Sequence, residues 1–244
     1  MQAPESVRIL GVRVDDLTLE TSIARITSMM AADRLHHVVT VNPEFIMEAR
    51  TNPQFAAVLD RADLAVPDGF GLLVATQLRG APLRERVPGV ELVQALAAAS
   101  ARYGWRVFLL GAAPGVAEAA AAALVGANPG LPIAGCYSGA PHPTEAAAIV
   151  AVIAAARADV LLVAFGSPQQ DLWIATHGPA TGARLGIGVG GAFDYLAGVV
   201  PRAPGWLRRL GLEWLYRLIM QPQRWRRIVR AVPLFLLAVL RERR

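Results

Sequence analysis

Short apolar runs alternate with longer amphipathic stretches from about residue 37 to residue 190 of this chain. Each run is rich in Val, Leu and Ile and ends near Gly, Pro, Asn or Asp, a pattern typical of buried strands connected by helices. Because the two patterns alternate, the sequence predicts a Rossmann-like α/β domain with a mostly parallel sheet flanked by helices. The predicted strands are His37–Val41, Leu64–Val66, Arg106–Leu110, Pro132–Cys136, Val160–Phe165 and Arg184–Val189.

The segments between these strands have helical periodicity, with Pro or Gly at their junctions. Ahead of the sheet, Val7–Val14 turns at Gly11 and predicts a small hairpin or edge strand, and Leu17–Met30 predicts a helix. The helices predicted between the strands are Phe70–Leu78, Val90–Tyr103, Val116–Val125, Thr144–Arg157 and Gln169–Thr176.

Charge is distributed unevenly along the chain. Residues 201–244 hold 11 Arg and 2 Glu, whereas the preceding 200 residues hold 13 Arg and 17 acidic residues. The C-terminal segment also carries Trp206, Trp214, Tyr216 and Trp225, a composition suited to phosphorylated ligands and anionic membrane surfaces. We therefore expect a Rossmann-like domain at 1–200 and a basic helical appendage at 201–244 that meets a membrane surface.

Composition also indicates the cellular location and the mode of membrane attachment. The single Cys136 excludes an internal disulfide, and the N-terminal residues lack the basic and long apolar regions of a signal peptide. The apolar run Val232–Leu240 contains Pro233 and is far shorter than the roughly 20 residues that span a bilayer. We expect a cytoplasmic protein attached peripherally to the inner face of the membrane, with a homo-oligomer as an open alternative. Nucleic acid is disfavoured as a partner because the Arg residues cluster in the appendage.

Polar side chains follow the predicted strands, where ligands bind in sheets of this kind. Asp68 lies in a Pro67-Asp68-Gly69 turn, and a carboxylate held at a strand end can act as a general base. An Asp that satisfies its own turn is the competing interpretation. Thr40 and Asn42 point to one side of their strand, although Asn42 also fits the N-cap of a helix beginning at Pro43.

Two glycine-rich loops have the composition that lets backbone amides approach a diphosphate. Neither is GxGxxG, and the Lys of a Walker A loop is missing, so NAD and ATP are disfavoured. No zinc-ligand spacing, GxSxG elbow or DxD motif is found, so the residues carry no signature of a metal site or of serine hydrolysis. Arginines and backbone amides would then balance a diphosphate. The glycine candidates are Gly111, Gly188, Gly190 and Gly191.

Seven motifs occur in order along the chain: TVNPEF (40–45), ADLAVPDGFGL (62–72), RVPGVEL (86–92), FLLGA (108–112), GSPQQDLWI (166–174), GVGGAFDYLAG (188–198) and RAPGWLRRLGLEWLYRL (202–218). Together they resemble the WecG/TagA/CpsF family of bacterial glycosyltransferases, glycosyltransferase family 26. The resemblance extends over nearly the whole chain.

The resemblance implies an inverting, metal-independent hexosyltransferase. It would move a sugar, typically N-acetylmannosamine, from a UDP-sugar to an undecaprenyl-diphosphate-linked sugar in cell-surface polysaccharide or teichoic-acid-type biosynthesis. Relatives also use UDP-glucose or UDP-N-acetylmannosaminuronate in exopolysaccharide assembly, and no residue separates these donors. The charge of the appendage favours an alternative of another class, a non-catalytic basic module that binds membrane surfaces.

The resemblance also implies roles for single residues. Asp68 matches the family's proposed catalytic base, and Thr40 and Asn42 match polar residues of the donor-sugar pocket. Gln170 matches the glutamine of a GSPKQE-like loop, in which this chain has Gln169 and Asp171 in place of the common Lys and Glu. The residues expected to engage phosphates are Arg86 and, in an appendage expected to close over the site, Arg217, Arg224 and Arg227.

Overall fold

The computed structural model describes residues 6–220, 222, 225 and 233–242, without the side chains of residues 208, 209 and 217. Its strands are β1 (Ser6–Ile9), β2 (Val12–Asp15), β3 (His36–Val41), β4 (Leu64–Pro67), β5 (Val107–Gly111), β6 (Ile133–Tyr137), β7 (Val160–Ala164) and β8 (Leu185–Gly188). The last six form one parallel sheet in the order β4-β3-β8-β7-β5-β6, and β1 pairs antiparallel with β2. The predicted α/β fold is confirmed.

The described helices flank this sheet and continue into the appendage. They are α1 (Leu19–Met29), α2 (Pro43–Ala49), α3 (Pro53–Arg61), α4 (Phe70–Leu78), α5 (Gly89–Tyr103), α6 (Val116–Ala127), α7 (Pro143–Ala156), α8 (Gln169–His177), α9 (Ala192–Leu196), α10 (Gly205–Arg209), α11 (Glu213–Met220) and α12 (Phe235–Glu242), with a 3₁₀ turn at Gly178–Thr181. Every predicted strand and helix is present, with ends displaced by at most two residues. Helices α3 and α9 were not predicted.

The strands are apolar on both faces because helices cover both. Val38 packs in a core cluster with α1, α5, α6 and α9, whereas its neighbour Val39 packs in a second cluster with α2, α3, α4 and α12. Farther along that second face, Leu161 packs against α7 and α8 in a third cluster. Alternation of side chains along each strand thus produces three layers, helix on sheet on helix.

The end of the appendage packs on the main domain. Phe235 and Val239 of α12 are fully buried in the cluster that contains Leu72 of α4, and Arg79 forms an ion pair with Glu242. Among the described residues, no helix has the length and apolar composition needed to cross a bilayer. Of the predicted apolar run Val232–Leu240, Val232 lies outside the described residues. The division at residue 200 stays a prediction.

Charged groups at the amino ends of the strands tie the sheet together. Asp63, just before β4, accepts hydrogen bonds from Arg34 and from the backbone amide of His37, and it contacts the His36 ring. Burial of Asp63 raises its pKa, but these hydrogen bonds outweigh burial and the net pKa is lowered. Asp159 lies just before β7. Burial raises its pKa too, but hydrogen bonds from Arg106 and Arg184 outweigh burial and lower the pKa overall.

Candidate active site

Close packing of two loops places Asp68 at the carboxyl edge of the sheet. A Cβ on Gly69, where φ is +130°, would lie 3.0 Å from Cδ of Pro43, and a Cβ on Gly71 would lie 2.8 Å from Cγ of the same proline. Glycine at both positions therefore lets the loop after β4 approach the start of α2. The Asp68 amide donates to the carbonyl oxygen of Val41 at 2.7 Å, which fixes Asp68 beside β3.

The Asp68 carboxylate is half-buried and lies near Thr40. Its Oδ2 accepts a hydrogen bond from the amide of Gly89, the first residue of α5, at 3.3 Å. A Cβ on Gly89 would contact both Asp68 Oδ2 at 3.6 Å and Thr40 Oγ1 at 3.9 Å. The Thr40 hydroxyl is buried and donates to the carbonyl oxygen of Gly188 at 3.4 Å. The amide at the N-terminus of α5 thus orients the Asp68 carboxylate beside Thr40.

Asn42 has two roles available to it. Its Oδ1 accepts the amide hydrogen of Phe45 at 3.0 Å, so the N-cap interpretation is confirmed. Asn42 also lines the cavity that Asp68 lines. The cap fixes the side chain beside the cavity, and contact with a ligand there is compatible with capping.

The cavity at the carboxyl edge has a volume of about 400 Å³, within the range typical of small-molecule sites. Its polar side includes Asn42, Asp68, Arg86 and Glu213. Its apolar side includes aromatic and aliphatic groups from α4 and the appendage. These are Phe70, Val74, Trp214, Phe235 and Leu236. The cavity is therefore suited to a polar ligand that carries an apolar part.

The Arg86 side chain links the main domain to the appendage through an ion pair. Its Nη1 donates to Oε2 of Glu213, the first residue of α11, at 3.0 Å, and both side chains are largely buried. The amide of Val87 bonds to the carbonyl oxygen of Pro67 at 2.7 Å, so the loop that carries Arg86 is anchored beside Asp68. The structure thus brings Asp68, Asn42 and Arg86 to one cavity and Thr40 to its edge.

The predicted glycine and glutamine candidates differ in their placement. Gly191 lines the cavity, whereas Gln170, Gly188 and Gly190 do not. Gln170 is buried, and its Oε1 accepts the Gly190 amide hydrogen at 2.9 Å. A Cβ on Gly188 would lie 2.5 Å from Nε2 of Gln170, so glycine is needed there for packing. Gln170 therefore holds the loop after β8, and its contact with substrate stays a prediction.

Gly111 lies away from the cavity. A Cβ there would lie 2.8 Å from the Phe165 ring and 3.0 Å from the carbonyl carbon of Ala164, at a φ of +96°. Close packing of β5 against the end of β7 explains this glycine. The structure gives no support to the prediction that Gly111 approaches a diphosphate.

The appendage arginines are described only in part. Arg217 belongs to α11, but the structure does not describe its side chain. Arg224 and Arg227 lie outside the described residues.

Within the described part of the chain, no group of three or more His, Cys, Asp or Glu side chains is arranged to hold a metal ion.

Glu213 and Trp214 are site residues that sequence reasoning missed. Both line the cavity, and Gly211 just before them packs so closely on α4 that a Cβ would lie 2.3 Å from the Phe70 ring. A signal was present, because Glu213 is one of only two acidic residues in the strongly basic segment 201–244. An acid retained among so many arginines indicates a specific partner.

Comparison with known proteins gives concordant matches. Residues 7–244 match the family described as Glycosyl transferase WecG/TagA/CpsF family. The chain is 37% identical over 207 residues to an N-acetylglucosaminyldiphosphoundecaprenol N-acetyl-beta-D-mannosaminyltransferase of Bacillus spizizenii, with 85% of this chain and 79% of that protein covered. Proteins of the same name from Bacillus subtilis and Staphylococcus aureus strain MW2 are 33% identical over 205 residues and 32% identical over 242 residues. The matches cover 84% and 98% of this chain and 79% and 93% of those proteins.

Proposed function

This chain belongs to the WecG/TagA/CpsF family of glycosyltransferases, and we propose that it transfers N-acetylmannosamine from UDP-N-acetylmannosamine to N-acetylglucosamine carried on undecaprenyl diphosphate. The names of the relatives supply the transferred sugar and the lipid-linked acceptor. The observation that carries the proposal is the placement of Asp68 and Arg86 on one cavity of about 400 Å³. An inverting transfer of a sugar from a nucleotide donor uses a base for the acceptor hydroxyl and a cation for the diphosphate.

In the proposed reaction, Asp68 takes the proton of the acceptor hydroxyl. The hydroxyl oxygen bonds to the anomeric carbon of the donor as the bond from that carbon to the UDP oxygen breaks, so UDP leaves with the electron pair and the configuration inverts. The Gly89 amide bonded to Asp68 Oδ2 at 3.3 Å orients the carboxylate for this role. Thr40 and Asn42, beside it, are assigned to the donor sugar.

Arg86 is assigned to the diphosphate, where negative charge develops as UDP leaves. A preorganised cation at such a position contributes on the order of 3 kcal/mol to the transition state. We assign Arg217, Arg224 and Arg227 of the appendage to the same charge. With these cations, the proposed reaction needs no metal ion.

The appendage is also assigned to the membrane and the lipid acceptor. Trp206, Leu210 and Ile219 are between 59% and 68% exposed, and such side chains insert readily into the interface of a bilayer. We propose peripheral attachment to the inner face of the cell membrane. Liposome flotation checks this, with the triple variant Trp206→Ser, Leu210→Ser and Ile219→Ser as the comparison, because these side chains are exposed and their loss leaves the buried Phe235 and Val239 in place. Unchanged flotation of the variant would contradict the assignment, and analytical sedimentation of the wild type shows whether these side chains instead join a homo-oligomer.

The decisive experiment is a turnover assay with a panel of UDP-sugars and a short-chain polyprenyl-diphosphate N-acetylglucosamine acceptor. We expect UDP release with UDP-N-acetylmannosamine, at a rate unchanged by EDTA. Turnover with UDP-glucose or the uronate instead would change the assigned donor. Absence of UDP release with every donor would favour a non-catalytic membrane-binding module, and a loss of rate in EDTA would reject metal independence.

A further inference from the structure

The ion pair between Arg86 and Glu213 lies at the junction of the main domain and the appendage. Arg86 Nη1 and Glu213 Oε2 are 3.0 Å apart, and their side chains are 17% and 21% exposed. Both residues line the cavity. A largely buried guanidinium needs an anion beside it, because leaving such a charge unpaired is costly. In the free protein, Glu213 supplies that anion.

The diphosphate of the donor needs the same guanidinium. If the phosphates bind Arg86, the Glu213 carboxylate is left beside them in a site of low solvent exposure, where like charges repel strongly. We infer that Glu213 competes with the diphosphate for the Arg86 guanidinium. It neutralises Arg86 in the free enzyme and is displaced from Arg86 when the diphosphate binds. This inference rests on the proposed assignment of Arg86 to the diphosphate.

Helix α11, which carries Glu213, has several exposed apolar side chains. Helix α11 is short, and Trp214, Leu215, Ile219 and Met220 along it are between 37% and 68% exposed. Few of its side chains are therefore buried, which is a property of segments that open at low cost. Release of Glu213 breaks one ion pair, and its return to Arg86 after transfer favours departure of UDP.

A second ion pair provides a matched control. Arg202 Nη2 bonds to Oε1 of Glu91 in α5 at 2.5 Å and likewise joins the appendage to the main domain. Neither residue lines the cavity. Glu91→Gln therefore weakens the attachment of the appendage in the same way as Glu213→Gln, without removing an anion from the cavity.

The test is titration of the full-length protein with UDP by calorimetry. Glu213→Gln is expected to lower the Kd of UDP by about three- to tenfold, the range for loss of one competing partly buried charge. Glu213→Asp, which keeps the charge, and Glu91→Gln are expected to bind UDP as the wild type does. Thermal unfolding of each variant verifies that the fold is retained.

The opposite hypothesis, that Glu213 aligns Arg86 for the phosphates, predicts weaker UDP binding by Glu213→Gln. A raised or unchanged Kd of UDP for Glu213→Gln would overturn the inferred competition. An equal decrease in the Kd of UDP for Glu91→Gln would overturn it as well. In an Arg86→Ala background the effect of Glu213→Gln should be smaller, because competition for the guanidinium is gone and only the repulsion between Glu213 and the phosphates remains. An Arg86→Ala variant with unchanged UDP affinity would instead remove Arg86 from the diphosphate site and so count against the proposed function.

Discussion

Asp68 is the residue on which the proposed chemistry turns. Asp68→Asn preserves its size and its bond from the Gly89 amide while removing the basic oxygen. We expect UDP affinity to be retained and kcat to fall by about 100-fold or more, the usual contribution of a general base. Asp60→Asn, which removes a 59% exposed carboxylate on α3, is the control and should keep its turnover. Near-normal kcat in Asp68→Asn would remove Asp68 from the mechanism.

Gly71 packs against Pro43 and so helps to hold the segment that carries Asp68 close to the start of α2. In Gly71→Ala, the new Cβ would lie 2.8 Å from Cγ of Pro43 and would push the two loops apart. We expect a loss of about 1–3 kcal/mol in the free energy of unfolding and reduced kcat. Gly126→Ala in α6 meets nothing within 4 Å and should stabilise the protein by about 0.5–1 kcal/mol instead. Denaturant unfolding of both variants measures the difference, and equal stabilities would contradict the close contact.

At the residue scale, local rules predicted some site residues and not others. The carboxyl ends of parallel strands meet at one edge, so Asp68 and Asn42 could be placed together from sequence. Glu213 could not, because its position depends on the packing of Gly211 against Phe70, which no local pattern encodes. For Gln170, contact with substrate stays a prediction, and its burial against the loop after β8 could not be predicted from a local pattern.

At the scale of elements, α2 and α3 begin in the same way, with Asn followed by Pro. Asn42 Oδ1 caps α2 and Asn52 Oδ1 caps α3, each with an N···O distance of 3.0 Å. We expect Asn52→Ala and Asn42→Ala each to lower the free energy of unfolding by about 1 kcal/mol. Turnover should fall only in Asn42→Ala, because Asn42 alone of the two lines the cavity. Chemical unfolding and steady-state kinetics separate the effects, and equal turnover in both variants would reject an active-site role for Asn42.

Periodicity predicted the elements well because strands covered on both faces have continuous apolar runs, as β7 (Val160–Ala164) shows. Periodicity did not predict the order of the strands in the sheet. Strand β8 lies between β3 and β7, and hydropathy carries no information about which strands are neighbours. Helix α3 was missed because Pro53–Arg61 is short and follows α2 without an intervening strand.

At the scale of the whole molecule, charge located the appendage but not its contacts. The appendage supplies Glu213, Trp214 and Phe235 to the cavity wall, so both parts of the chain form one site. Phe235 also packs in the core cluster of the main domain. Charge composition marks a segment as different, whereas its packing depends on shape at a distant surface.

The acid stability of the molecule depends on the amino edge of the sheet, opposite the cavity. Burial raises the pKa of Asp63 and of Asp159, but Arg34 and the His37 amide at Asp63, and Arg106 and Arg184 at Asp159, lower both pKa values overall. A carboxyl group with a lowered pKa in the folded state binds fewer protons there than in the unfolded chain. Its contribution to stability is therefore present above the ordinary Asp pKa of about 3.9 and is lost as pH falls through the lowered folded value.

We therefore expect the free energy of unfolding to fall below about pH 4 and the fall to be smaller in Asp159→Asn, which has no proton to gain. At neutral pH the same variant should be less stable than the wild type, because Arg106 and Arg184 lose their carboxylate partner. Asp60→Asn removes an exposed pair with Arg8 and should leave the pH profile close to that of the wild type. Guanidinium chloride unfolding from pH 3 to pH 7 measures all three profiles. Parallel profiles for Asp159→Asn and wild type would show that this carboxylate does not govern acid stability.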